Sequence, residues 1–210
     1  MNENMEQRSY TFEIRVEEAD GVGIVRGRPI VYNSRTNLGY FDEVIERGAL
    51  NGADLRDVRF LVNHDVSKIP LARSRNNNAN STMQLSPDEQ GLGIRVNLDV
   101  KNNTDARNLY SAIERGDISG MSFMFMVDDE EWTELESEHP TRHIKKISNV
   151  IEVSAVTFPA YEDTEISVRN KKALESAKST LDSVKRSKEE SLESELELEK
   201  AKFEALLKVR

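Results

Sequence analysis

The chain contains no cysteine. That excludes disulfides, a thiolate nucleophile, iron–sulfur clusters and thiolate zinc sites, and it fits a reducing compartment. Histidine is scarce as well: only His64, His139 and His143 offer an imidazole, so any imidazole base must be one of them. No stretch approaches the roughly 18 consecutive apolar residues needed to span a bilayer. The opening Met1 to Arg8 (MNENMEQR) has no apolar core, so a secretory signal is not expected. A basic surplus is missing too. Lys and Arg number 29 against 38 Asp and Glu, a net charge of −9, whereas nucleic-acid binding needs cations to neutralise phosphate. Neither a membrane nor a nucleic-acid partner is expected.

The acidity is unevenly spread. Residues 170–210 carry ten basic and nine acidic side chains, and residues 1–169 carry 19 and 29. All ten Gly and all five Pro fall in the first part, and the second is built mainly from helix-forming Glu, Lys, Leu and Ala. Leu174, Ala177, Leu181 and Val184 are spaced as the a and d positions of a heptad. Lys188 and Ser191 interrupt that seam, and a shifted one follows through Leu192, Leu196, Phe203 and Leu206. The chain therefore divides into a body, 1–169, and a helical, coiled-coil-like tail, 170–210.

The body reads as mixed α/β and rich in strand. Ser9 to Val16 alternates Tyr10, Phe12, Ile14 and Val16 on one face, and Gly91 to Val100 alternates Leu92, Ile94, Val96 and Leu98. Gly21 to Tyr32, Arg59 to Val62, Phe123 to Val127 and Ile144 to Pro159 are further strand segments. One helix is expected, with Thr104 as N-cap, Ala106, Leu109, Tyr110 and Ile113 on one face and Gly116 at its end. The charged stretch Asp128 to His143 reads as a surface excursion.

His64 stands at the end of an apolar strand, in Phe60-Leu61-Val62-Asn63-His64-Asp65. A strand end holds a base firmly while the loop exposes it. His139 and His143 are four apart, but Pro140 lies between them in a very polar stretch. They read as loop residues, so no metal and no cofactor is expected. Ser122 follows Gly120-Met121 and enters the apolar run from Phe123. It suits a nucleophile beside a backbone able to donate to an oxyanion; the plainer reading, a hydroxyl bonded to a neighbouring carbonyl, is favoured by the residues alone. Ser119 is a weaker rival. Glu152 lies in the otherwise apolar or small Val150-Ile151-Glu152-Val153-Ser154-Ala155-Val156, where a carboxylate needs a partner. Either Glu152 or Asp65 suits the third group that a Ser–His pair requires.

Taken in order, several segments resemble the prohead (capsid maturation) serine proteases of tailed bacteriophages, of the HK97 type. They are Gly27-Arg28-Pro29-Ile30-Val31-Tyr32-Asn33, Phe41 to Leu50 (FDEVIERGAL), Val62-Asn63-His64-Asp65, Ile69-Pro70-Leu71-Ala72-Arg73 and Gly91-Leu92. Gly116 to Phe123 (GDISGMSF) and Glu152 to Tyr161 (EVSAVTFPAY) complete the set. The resemblance covers about Tyr10 to Arg169. It implies a herpesvirus-assemblin-like fold, a β-barrel surrounded by helices, with Ser122 as nucleophile, His64 as general base and Glu152 as third member. It further implies an endopeptidase that works inside the procapsid in the host cytoplasm. Its substrates would be a scaffold protein, or the scaffolding segment of the major capsid protein, and itself. The tail would be a docking or scaffold-like segment, and self-association is a further implication. Two residues depart from the pattern: Met124 and Ala72 each stand where the family often has Gly. These departures motivate an alternative, a catalytically weak or inactive assembly protein that binds capsid subunits through its tail.

Overall fold

The structure is a computed structural model that describes residues 5–11, 15–19, 21–158 and 170–187. The chain forms two compact units, Met1–Ser167 and Val168–Arg210. In the second, a helix α2 spans 170–187 and carries the first heptad seam; the shifted seam from Leu192 lies outside the described residues.

The first unit is mixed α/β and dominated by strands: β1 (Met5–Thr11), β2 (Arg15–Ala19), β3 (Val22–Val31), β4 (Arg35–Asn37), β5 (Asp42–Ile45), β6 (Asp57–Val62), β7 (Ala72–Arg75), β8 (Met83–Asp88), β9 (Gly91–Leu98), β10 (Gly120–Thr133) and β11 (Thr141–Val156). One sheet has the antiparallel order β2-β3-β9-β8. The other is built on the long β10–β11 hairpin, with β1 antiparallel on the outer edge of β10. The free edge of β11 is divided: its first residues pair in parallel with β5 and its last with β6. The sheet thus branches there, and the described strands form two open sheets in place of the expected barrel ringed by helices.

Period-two burial builds the core. Leu92, Ile94, Val96 and Leu98 of β9 are buried and belong to one apolar cluster with Phe123 and Phe125 of β10 and Val153 and Ala155 of β11. Gly91 opens β9 at φ +139°, where a Cβ would stand 1.9 Å from the Ile30 carbonyl oxygen, so only glycine allows β3 and β9 to close there. Pro29 falls where the β3–β9 register shifts, a position at which a missing N–H is tolerated.

Two local expectations change and a third is refined. Ser9 to Val16 is not one strand: β1 and β2 belong to different sheets. Helix α1 runs Thr104–Glu114, but its cap is Asn103, whose side chain accepts from the Asp105 and Ala106 N–H groups. Asp128 to His143 is a surface excursion but a regular one, a mostly exposed or half-buried hairpin arm in which β10 continues to Thr133 and β11 begins at Thr141. Its charges pair across the hairpin, Lys146 with Asp128 at 2.5 Å, Lys145 with Glu131 and Arg142 with Glu130, which makes a charged ribbon a stable strand pair.

Candidate active site

The site forms where β6 ends against β11. Parallel pairing sets Val62 beside Ala155, and Asn63 N–H donates to the Ala155 carbonyl at 3.0 Å. Asn63 and His64 then both adopt left-handed backbone, φ 49° and 57°. Side-chain-bearing residues enter that region at a cost, and Asn and His do so more readily than most. The reversal is clamped by Asn63, whose Oδ1 accepts the Thr157 N–H at 2.9 Å while its amide donates to the Thr157 hydroxyl at 3.0 Å. His64 is thereby turned back over β11. Its N–H donates to Ser154 Oγ at 3.1 Å, and its Nδ1 lies 2.6 Å from Glu152 Oε1. Ser154 Oγ donates to the other carboxylate oxygen of Glu152 at 2.6 Å.

Glu152 is almost fully buried, with 2% of its side chain exposed, against 11% for the His64 ring. An acceptor on Nδ1 fixes the proton there and leaves Nε2 as the basic nitrogen. Nε2 is buried and has no hydrogen-bond partner among the described residues. Asp65 does not reach the ring. Its Oδ1 accepts from the Ser67 N–H at 3.1 Å and the Ser67 hydroxyl at 2.5 Å, and these bonds lower its pKa.

Ser122 lies on β10 directly across from Ser154, so its side chain shares a face with Ser154 and Glu152. It is fully buried, and its Oγ donates to the Arg8 carbonyl of β1 at 2.7 Å, not to His64. From Gly120 to Met124, β10 is paired on both edges, by β1 and by β11, so its backbone N–H groups serve those ladders and form no open oxyanion cradle. Met124 stands opposite Glu152 on the same face. Ala72 is buried on β7 opposite Phe60, and Ser119 is an exposed residue before β10.

The other imidazoles have separate partners. His139 Nε2 is 2.9 Å from Asp42 Oδ1, and His143 Nδ1 is 3.2 Å from Glu46 Oε1.

A second buried cluster, which the sequence did not announce, joins β1, β5, β10 and β11. Arg8 Nε and Nη2 bind both oxygens of Glu43 at 2.5 and 2.6 Å. Arg142 donates to both oxygens of Glu6 at 2.7 and 2.6 Å, to Glu43 at 3.1 Å and to Glu130. Burial pushes both guanidiniums towards deprotonation, and the surrounding carboxylates outweigh it and raise them. Burial would likewise raise the Glu6 carboxyl, but Arg8 and Arg142 hold it below its ordinary 4.5. This network fixes β1 and hence the carbonyl that meets Ser122. Its one sequence signal is the Glu6–Arg8 alternation inside an otherwise featureless polar start.

A β-rich body with a buried His–carboxylate pair and a strand serine on the same face holds the parts a serine hydrolase uses. The family model of the caudovirus prohead serine proteases matches residues 10–179, and the chain belongs to that family. It is 30% identical over 148 residues to the prohead protease of Enterobacteria phage HK97, covering 69% of this chain and 59% of that protein. The chain thus spans about three fifths of that relative's length. Among solved structures it is similar to the bacteriophage T4 capsid assembly protease gp21, with a TM-score of 0.45 and 10% identity over 73% of this chain and 97% of that one.

Proposed function

We propose that the chain is a serine endopeptidase of phage procapsid maturation, with Ser122 as nucleophile, His64 as general base and Glu152 as the group that holds the imidazole. The observation that carries this is the His64–Glu152 pair at 2.6 Å with a buried Nε2 that has no partner among the described residues. A buried ring nitrogen left without a protein partner is costly, and a catalytic base is a role that accounts for that cost. In the reaction, Ser122 Oγ leaves the Arg8 carbonyl and turns to Nε2, which takes its proton as Oγ attacks the peptide carbonyl. The imidazolium, stabilised by Glu152, returns the proton to the leaving amine, and water then releases the acyl group by the same route. Substrates are the scaffold protein or the scaffolding segment of the major capsid protein, together with the chain itself, cut inside the procapsid in the host cytoplasm. The segment 170–210 serves as the docking or scaffold-like helix that recruits the body 1–169 during assembly.

The test is co-expression with the capsid protein, with mass mapping of the termini produced. Ser122→Ala should abolish the new termini; processing at the wild-type rate would overturn the assignment of the nucleophile. One observation favours the second reading, an assembly protein without activity: Ser122 is fully buried and bonded to a backbone carbonyl. That reading requires unprocessed termini from the wild-type chain as well.

A further inference from the structure

Residues 150–156 of β11 are buried or half-buried throughout, and Ser154 lies among them fully buried. A hydroxyl in such a place needs hydrogen-bond partners. Ser154 has two, and both belong to the candidate site. Asn63 N–H still donates to the Ala155 carbonyl, but the left-handed turn that follows takes His64 N–H out of that ladder, and it donates to Ser154 Oγ at 3.1 Å. An N–H can only donate. Ser154 Oγ therefore accepts there, and its own proton goes to Glu152 Oε2, 2.6 Å away. Glu152 Oε1 in turn receives the Nδ1 proton of His64 at 2.6 Å. These bonds form a closed ring that begins at the His64 backbone and ends at the His64 imidazole.

The ring fixes what one bond leaves loose. The terminal torsion of a glutamate side chain is broad, so a single bond to Oε1 lets the carboxylate turn. Glu152 and Ser154 are two apart on one strand and share a face. The hydroxyl thus reaches the second oxygen and stops that turn. It also ties the carboxylate to the backbone of the residue whose ring the carboxylate holds. Ser154 stands directly across from Ser122 on β10, so this anchor is built into the strand beside the nucleophile.

We infer that Ser154 is a positioning residue: its hydroxyl locks the Glu152 carboxylate to the His64 backbone, so that the imidazole keeps one tautomer and one direction. It acts through His64 and Glu152, as a supporting group behind the reacting ones. The role rests on the endopeptidase reading above.

The experiment uses the full-length chain and two variants of one shape: Ser154→Thr keeps the hydroxyl and Ser154→Val lacks it. The first readout needs no catalysis. It is the proton NMR resonance of His64 Nδ1–H, which a charge-assisted bond to a carboxylate carries far downfield, assigned by its loss in His64→Ala. It should be present in the wild type and in Ser154→Thr, and be lost or move upfield in Ser154→Val. Ser74→Ala, which removes a buried hydroxyl on β7 away from the site, should keep it. The second readout is the saturation kinetics of fluorophosphonate labelling. Ser154→Val should lower the limiting rate about tenfold and leave the half-saturating concentration unchanged, and Ser154→Thr should restore most of the rate. Ser154→Ala repeats both readouts without added bulk, should the branched variants not fold. A downfield resonance absent from the wild type, or unmoved when the hydroxyl is removed, overturns the role. So does a limiting rate that is the same without the hydroxyl. If the wild type is not labelled while the resonance follows the hydroxyl, the endopeptidase reading falls and the part of Ser154 in aiming His64 stands.

Discussion

The β10–β11 hairpin supports two buried polar clusters, and they differ in one respect. In one, Arg142 near its turn and Arg8 on the neighbouring β1 meet Glu6, Glu43 and Glu130, and both guanidiniums have carboxylate partners. Towards its open end, Glu152 is satisfied by Ser154 and His64, but His64 Nε2 has no partner among the described residues. A saturated network fixes geometry and has no group left to give. An unsaturated one keeps a basic nitrogen ready for a proton, and the protein carries its desolvation cost. Ser74 Oγ is the other buried side-chain atom without a partner among the described residues, but it sits on β7 with no base beside it.

The contrast is broken most strongly at the open end. Ser122→Ala or His64→Ala should lower capsid-protein processing by about 10⁴-fold, and Glu152→Gln should come close to that by releasing the tautomer, with the fold unchanged by circular dichroism. At the other end the effect should be on stability. Removing one member of the saturated network, as in Arg142→Met, leaves buried carboxylates uncompensated and should cost about 3–5 kcal/mol in urea unfolding. If Arg142→Met unfolds at the wild-type midpoint, that network does not hold β1.

The sequence made the His64–Glu152 cluster partly legible and hid the arginine network. Glu152 was conspicuous as a lone acid in a small, apolar strand, and His64 as an imidazole at a strand end. Their meeting follows from β6 lying parallel to β11, a pairing across some ninety residues that no local pattern encodes. The period-two strands β9 and β11 could be read because one face is buried. The arm 128–133 could not, since its charges are balanced by Lys145, Lys146 and Arg142 on the returning strand. Arg8 was invisible for the same reason: its partner Glu43 is 35 residues away. The plain reading of Ser122, a hydroxyl bonded to a carbonyl, describes its contact with Arg8, and the resemblance supplied the role now proposed for it.

A smaller effect is expected at the reversal that aims the ring. Asn63→Ala removes the Thr157 clamp and adds the cost of a left-handed alanine, about 1–2 kcal/mol. The rate at which a fluorophosphonate labels the protein should fall by about tenfold. Asn63→Gly, which accepts that backbone freely, should lose less; equal losses would show that the clamp alone matters.

The smallest effect is in acid. Because the folded pKa of Glu6 lies below 4.5, its contribution to stability is complete above pH 4.5 and is lost as the pH falls through the folded value. Glu6→Gln should flatten that part of the stability–pH curve, and an unchanged slope below pH 4.5 would remove Glu6 from the network's energetics.

The proposed chemistry is tested most directly by peptide-mapped fluorophosphonate labelling of the wild-type chain beside His64→Ala. The expected result is a single adduct on Ser122 that disappears when the imidazole is removed. An adduct on another serine, or one on Ser122 that forms equally fast without His64, would contradict it.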